Sequence, residues 1–116
     1  MIPSVIYQAL SNAAGLSAVG GRIYRDYAGD APAAPYIVWS LLSGVPENNL
    51  SDTPPGDRWS VSVDVFAKTE QQSDTLTFAA RDAMETIGHV LTIQSLGRES
   101  TDLWRYTFDV DIHKPR

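Results

Sequence analysis

Residues 58–66 read RWSVSVDVF, and they alternate without a break. Trp59, Val61, Val63 and Val65 fall on one side, while Arg58, Ser60, Ser62 and Asp64 fall on the other. A two-residue period of this kind predicts a β-strand with one face buried. Upstream, Tyr36–Ser43 (YIVWSLLS) is almost continuously apolar, β-branched or aromatic, which predicts a strand covered on both faces. Between them lies 44–57, GVPENNLSDTPPGD, a polar stretch holding Pro46, Pro54 and Pro55. Together they predict a hairpin with an oversized tip. Loops of this length are uncommon inside compact domains and are usually functional or disordered.

The remaining elements follow outward from that hairpin. Pro3 to Gly15 predicts a short helix: proline suits a first turn, Val5, Ile6, Ala9, Leu10 and Ala13 share a face, and Gly15 stops it. A further short turn, LSAV, ends at Gly20-Gly21, RIYRDY (22–27) predicts a brief strand, and DAPAAP (30–35) a stiff connection. KTEQQSDTLTFAARDAMETIG (68–88) predicts the main helix. Thr69 and Gln72 make a capping-box pattern, and Glu70 and Asp74 suit the positive end of the helix dipole. Its stripe is Leu76, Ala79, Ala80, Ala83, Met84 and Ile87, ended by Gly88. The small alanines predict close packing against a sheet. HVLTIQSL (89–96), a turn at GREST (97–101) and LWRYTFDVDIH (103–113) predict a second hairpin. Trp39, Trp59 and Trp104 are expected in the core. The fold class is α+β: an antiparallel or mixed sheet of about four to five strands packed on one main helix in two layers.

Bulk properties bound the function. At 116 residues the chain fits a single domain spanning 1–116, able to bury roughly 65% of its unfolded surface. No cysteine is present, so disulfides and thiolate metal sites are excluded. MIPSVIYQAL lacks the charged start and apolar run of a signal peptide, and no run reaches membrane-span length, so synthesis in the cytoplasm and no membrane partner are expected. A net charge of −5 argues against a surface that coats nucleic acid, which needs clustered Lys and Arg.

A search for chemistry finds little. His89 and His113 have no metal-ligand spacing; His89, just past a helix end, is expected to complement the dipole. Asp64, Asp109 and Asp111 sit on polar strand faces, with Asp109 and Asp111 on the same face. Such carboxylates can hold a divalent ion or act as acid and base, or simply form a solvated acidic face. Asn49-Leu50-Ser51 matches a glycosylation acceptor, a chance match without a secretory signal. There is no P-loop lysine after Gly20-Gly21 and no GxSxG element. No enzyme activity is expected.

GLSAVGGRIYRDYAGDAPAAPYIVWSLLSGVPENNL (15–50) followed by DRWSVSVDVFAKTEQQSDTLTFAARDAM (57–84) resembles the tail completion, or tail terminator, proteins of long-tailed bacteriophages and gene transfer agents. The central match is Asp57–Ala67 with Arg81, Asp82 and Ala83. The resemblance implies a structural virion protein, without catalysis, cofactor or metal, that forms a hexameric ring at the head-proximal end of the tail tube. Such a ring terminates tube polymerisation and joins the tail to the neck or head–tail connector protein, while DNA passes through its channel. A ring needs two different side surfaces, for which strand edges are suited, and two different ends. The long loop is the expected end contact, through Val45, Pro46, Glu47, Asn48, Asn49, Leu50, Ser51 and Asp52, and Asp64, Asp109 and Asp111 the expected acidic face. Two alternatives stand beside this one: a small cytosolic protein-binding adaptor, and a divalent-metal enzyme using the three aspartates.

Overall fold

The computed structural model describes residues 2–20, 22–27, 34–46, 56–98 and 103–115. In chain order these are helix α1 (Ile2–Ser11), a single 3-10 turn (Ala14–Leu16), strands β1 (Ile23–Arg25), β2 (Tyr36–Pro46) and β3 (Gly56–Ala67), helix α2 (Glu70–Met84), and strands β4 (His89–Arg98) and β5 (Trp104–Pro115). Among the described residues five strands form one mixed sheet in the order β1-β2-β3-β5-β4. β1 runs parallel to β2 and every other pair is antiparallel. The predicted α+β class and both hairpins are present.

Both helices cover one face of the sheet. The alternation of 58–66 carries through: Val61, Val63, Val65 and Ala67 are buried beneath the helices, with Ile37, Trp39, Phe108, Val110 and Ile112 from the neighbouring strands. Ile6, Leu10, Leu16 and Val19 close the core at the N-terminal end, with Leu76, Ala80 and Met84 from α2. Trp39 is a core residue as expected, whereas Trp59 and Trp104 are only half-buried.

Local chemistry explains the element ends. The Thr69 Oγ1 accepts from the Gln72 N–H at 3.1 Å, capping α2. The Gln72 side chain reaches back to the Lys68 N–H at 3.1 Å, one residue before the N-cap rather than to the N-cap itself. The helix stops at Met84, earlier than the stripe predicts: the N–H groups of Ile87 and Gly88 both return to the Met84 carbonyl, closing a turn over 85–88. The alanines serve the helix–turn side as well as the sheet. A Cβ on Gly15 would sit 2.9 Å from the Ala79 Cβ, so the 3-10 turn lies directly on α2. Arg22 fastens β1 to what precedes and follows it, donating to the carbonyls of Ala18 at 2.8 Å and Pro35 at 3.0 Å.

Three expectations need correction. The central hairpin is longer than its sequence pattern: pairing continues through Gly44↔Trp59, Val45↔Arg58 and Pro46↔Asp57. Val45 and Pro46 are therefore strand residues, and the connection proper is 47–55, which lies outside the described residues. Proline is tolerated at that position because it ends the ladder. Second, β2 is not covered on both faces. Its inner residues Ile37 and Trp39 are buried, but on the other face only Tyr36 is, and Leu42 is exposed. Third, β4 runs on to Arg98, through the first two residues of the predicted turn.

Candidate assembly surface

The sheet face turned away from the helices is built from cross-strand rows that the register fixes. One row is Ser40, Ser62, Asp109 and Thr92; the next is Ser43, Ser60, Asp111 and His89. A third is Val38, Asp64, Thr107 and Gln94. Hydroxyls and carboxylates thus dominate the middle of the open face.

The three predicted aspartates share this face but not one environment. Asp64 is engaged: its Oδ2 accepts from the Arg105 guanidinium at 3.0 Å, and its side chain is only 19% exposed. Asp111 Oδ1 accepts from the Ser60 hydroxyl at 3.2 Å. Asp109 is exposed, between Ser62 and Thr92. Among the described residues no three His, Asp or Glu side chains are grouped to hold a metal ion. Among the described residues of this face, Asp109 and Asp111 carry the negative charge that Arg105 does not neutralise. Arg58, opposite His113, lies beyond them toward the hairpin end.

At the other end the open face carries an aromatic corner that sequence reasoning missed. Tyr36 stacks on Phe66 with ring centroids 4.7 Å apart, Tyr24 meets Tyr36 edge-on at 6.2 Å, and Arg105 lies 5.3 Å from the Phe66 centroid. Burial raises the Tyr36 hydroxyl above its ordinary range. A shallow cleft of about 270 Å³ opens here, lined by Asp26, Tyr27, Tyr36, Asp64, Phe66 and Arg105. Phe66 at the end of RWSVSVDVF was the available signal, since it is a large apolar residue on the strand's polar side.

In the far part of the central hairpin the two strands meet in a close cross-strand contact. Gly44 lies under the indole of Trp59: an added Cβ would fall 2.3 Å from Trp59 Cζ3. Only glycine lets the ring lie flat on the neighbouring strand. Of the predicted loop contacts, Val45 and Pro46 stand on this arm, and Glu47, Asn48, Asn49, Leu50, Ser51 and Asp52 follow it outside the described residues.

The sheet's flanks carry the other unforeseen feature. Pairing slips by one residue between Leu41 and Ser43 on β2, between Val90 and Thr92 on β4, and between Ser95 and Gly97 on β4. The unmatched residues are Leu42, Leu91 and Leu96, which are 57%, 61% and 42% exposed.

Comparison with known proteins fits this geometry to a family. Comparison with curated protein sequences finds no match. Among solved structures, the fold is similar to that of a chain in the virion of a native gene transfer agent particle, with a TM-score of 0.65 and 19% identity, covering 96% of this chain and 93% of that one. At that identity the similarity speaks to the fold. A family profile described as tail completion protein gp17 matches residues 4–114. With a match over nearly its whole length, the chain belongs to the tail completion protein gp17 family and is a phage tail structural protein.

Proposed function

We propose that the protein forms a closed ring at the head-proximal end of the tail tube, where it terminates tube polymerisation and joins the tail to the head–neck connector. The observation that carries this is the family match over 4–114, joined to a surface that offers distinct flanks and an arm. In the ring the open sheet face turns toward the channel. Asp109 and Asp111, with the surrounding serines and threonines, give DNA a wall that repels phosphate, while Arg105 is held by Asp64 and Arg58 stands beyond them toward the hairpin end. Asp64 contributes shape rather than charge, because Arg105 neutralises it. The helices face outward, and the β2–β3 arm, carrying Val45 and Pro46 and followed by 47–52, makes an end contact with the tube protein or the connector.

Electron microscopy of the purified chain, alone and mixed with growing tail tubes, tests this. Rings that cap tubes at fixed length are the expected result. Tubes that lengthen unchanged in its presence would refute it. Replacing 47–55 with a two-residue turn is expected to leave rings intact and abolish capping.

A further inference from the structure

We propose that the β4 flank and the free half of β2 are the two sides of one lateral contact, so that Leu91 and Leu96 of one copy meet Leu42 of the next. The inference rests on the ring reading and names the surface that such a ring would use. Exposed single leucines are ordinary. Here, however, the exposed leucines are the residues left unmatched by the register shifts, and they stand on opposite flanks of one sheet. β4 is the last strand on its side, and β1 pairs only with Ile37–Trp39, so beyond Trp39 no strand flanks β2 among the described residues.

The chemistry of the two flanks matches. The stretch 89–97, HVLTIQSLG, and the stretch 40–45, SLLSGV, contain no Asp, Glu, Lys or Arg, although 20% of the chain is charged. Natural edge strands are commonly guarded by charges, by proline or by bulges. Within 40–45 and 89–97 only the register shifts serve this purpose, with Pro46 and Arg98 just past them at the strand ends. A shift interrupts the ladder of free N–H and C=O groups, so a second copy cannot simply add as another strand. Each shift leaves an exposed leucine, so the proposed contact is made by apolar knobs rather than by main-chain pairing. This refines the expectation that strand edges serve the side contacts.

The occupant is a second copy for two reasons. Copies carrying net −5 repel one another, and uncharged flanks are where that repulsion opposes approach least. The two flanks also face opposite ways, which makes a head-to-tail contact between unlike surfaces, the type that closes into a ring.

Cysteine cross-linking tests the assignment, because the chain has no native cysteine to interfere. Within one copy the flanks are three strand spacings apart, roughly 14 Å, too far for a disulfide. Chains carrying Leu42→Cys with Leu91→Cys, or Leu42→Cys with Leu96→Cys, are oxidised at high concentration, and the products are sized under denaturing conditions. A ladder of linked copies is expected from at least one pair, with single-cysteine variants staying monomeric. Efficient dimers from Leu42→Cys alone would indicate like-to-like contact and overturn the proposal. Native mass measurements on the unmodified chain separate the two ideas. Rings without a ladder from either pair overturn the flank assignment and leave the ring standing. A ladder without rings supports the flank contact and overturns closure. Neither product overturns both.

Discussion

Replacing Gly88 with alanine probes the joint on which the position of β4 depends. Gly88 follows the turn that ends α2 and precedes His89, the first residue of β4, which pairs with Asp111. An added Cβ would fall 2.4 Å from the Asp111 carbonyl oxygen, 3.1 Å from its carbonyl carbon and 3.0 Å from Ile112 Cγ1. Ordinary carbon–oxygen contact needs close to a further ångström, and the obstacle is the backbone of β5, paired on both sides, so no side chain can swing aside. Overpacking of this kind costs about 1–3 kcal/mol. The lost flexibility of the unfolded chain returns about 0.4–1 kcal/mol. The net is about 1–2 kcal/mol, or roughly 4–10 °C of Tm for a domain of this size. Thermal unfolding followed by circular dichroism measures it. Gly97→Ala is the comparison: Gly97 has φ +71° but no atom within 4 Å of an added Cβ, so its cost is backbone strain alone. Gly97→Asn is expected to recover much of that loss, because asparagine tolerates the left-handed region, and Gly88→Asn is expected to recover nothing. A Gly88→Ala protein with unchanged Tm would refute the close approach of the α2–β4 joint to β5.

Three further outcomes are expected. Thr77 is fully buried in α2 with no hydrogen-bond partner for its Oγ1, so Thr77→Val, which keeps the β-branched shape, should raise stability by about 1 kcal/mol in urea titration; a loss of that size would mean the hydroxyl is satisfied. The Tyr106 hydroxyl donates to Asp74 Oδ1 at 2.8 Å, which raises the phenol above its usual value of 10. A folded pKa above the unfolded one makes stability full below pH 10 and lost as pH rises through the folded value; Tyr106→Phe should flatten that decline, and an identical slope in both proteins would count against the linkage. Asp64→Asn removes the partly buried partner of Arg105 and should cost about 1–2 kcal/mol, less than a fully buried pair because both side chains retain some solvent; an unchanged urea midpoint would show the pair to be inert.

Sequence periodicity revealed the central strand because its alternation is unbroken: every residue from Trp59 to Ala67 lies on the face that its parity assigns. The family resemblance was legible on the same stretch and on the A-x-R-D-A helix that follows it, and the profile match over 4–114 agrees. The hairpin's true length was hidden because Pro46 and Gly56 disfavour strands and Val45 stands alone between Gly44 and Pro46; their pairing is imposed by the strands they extend. The open-face ion pair was hidden for a related reason, since Asp64 and Arg105 are 41 residues apart and meet only once β3 and β5 are in register.

β4 shows where parity itself fails. Read as an uninterrupted strand, HVLTIQSL would place Val90, Thr92, Gln94 and Leu96 on one face, leaving Leu91, Ile93 and Ser95 on the other. Neither face is apolar, so the pattern looks like a weak strand. The observed pairing resolves the conflict by slipping twice. Val90, Ile93 and Ser95 oppose Val110, Phe108 and Tyr106 on the helix side, while Thr92 and Gln94 oppose Asp109 and Thr107 on the open side. A one-residue slip exchanges the faces of everything beyond it. The first slip keeps Val90 and Ile93 inward with Thr92 and Gln94 on the open face, the second sets Gly97 opposite Arg105, and each leaves one exposed leucine without a partner residue. An exposed leucine gains little from the fold of one chain. In the proposed ring such a leucine meets the flank of another copy, and the channel wall, the flanks and the arm then follow from one sheet: its open face, its edges and its longest hairpin.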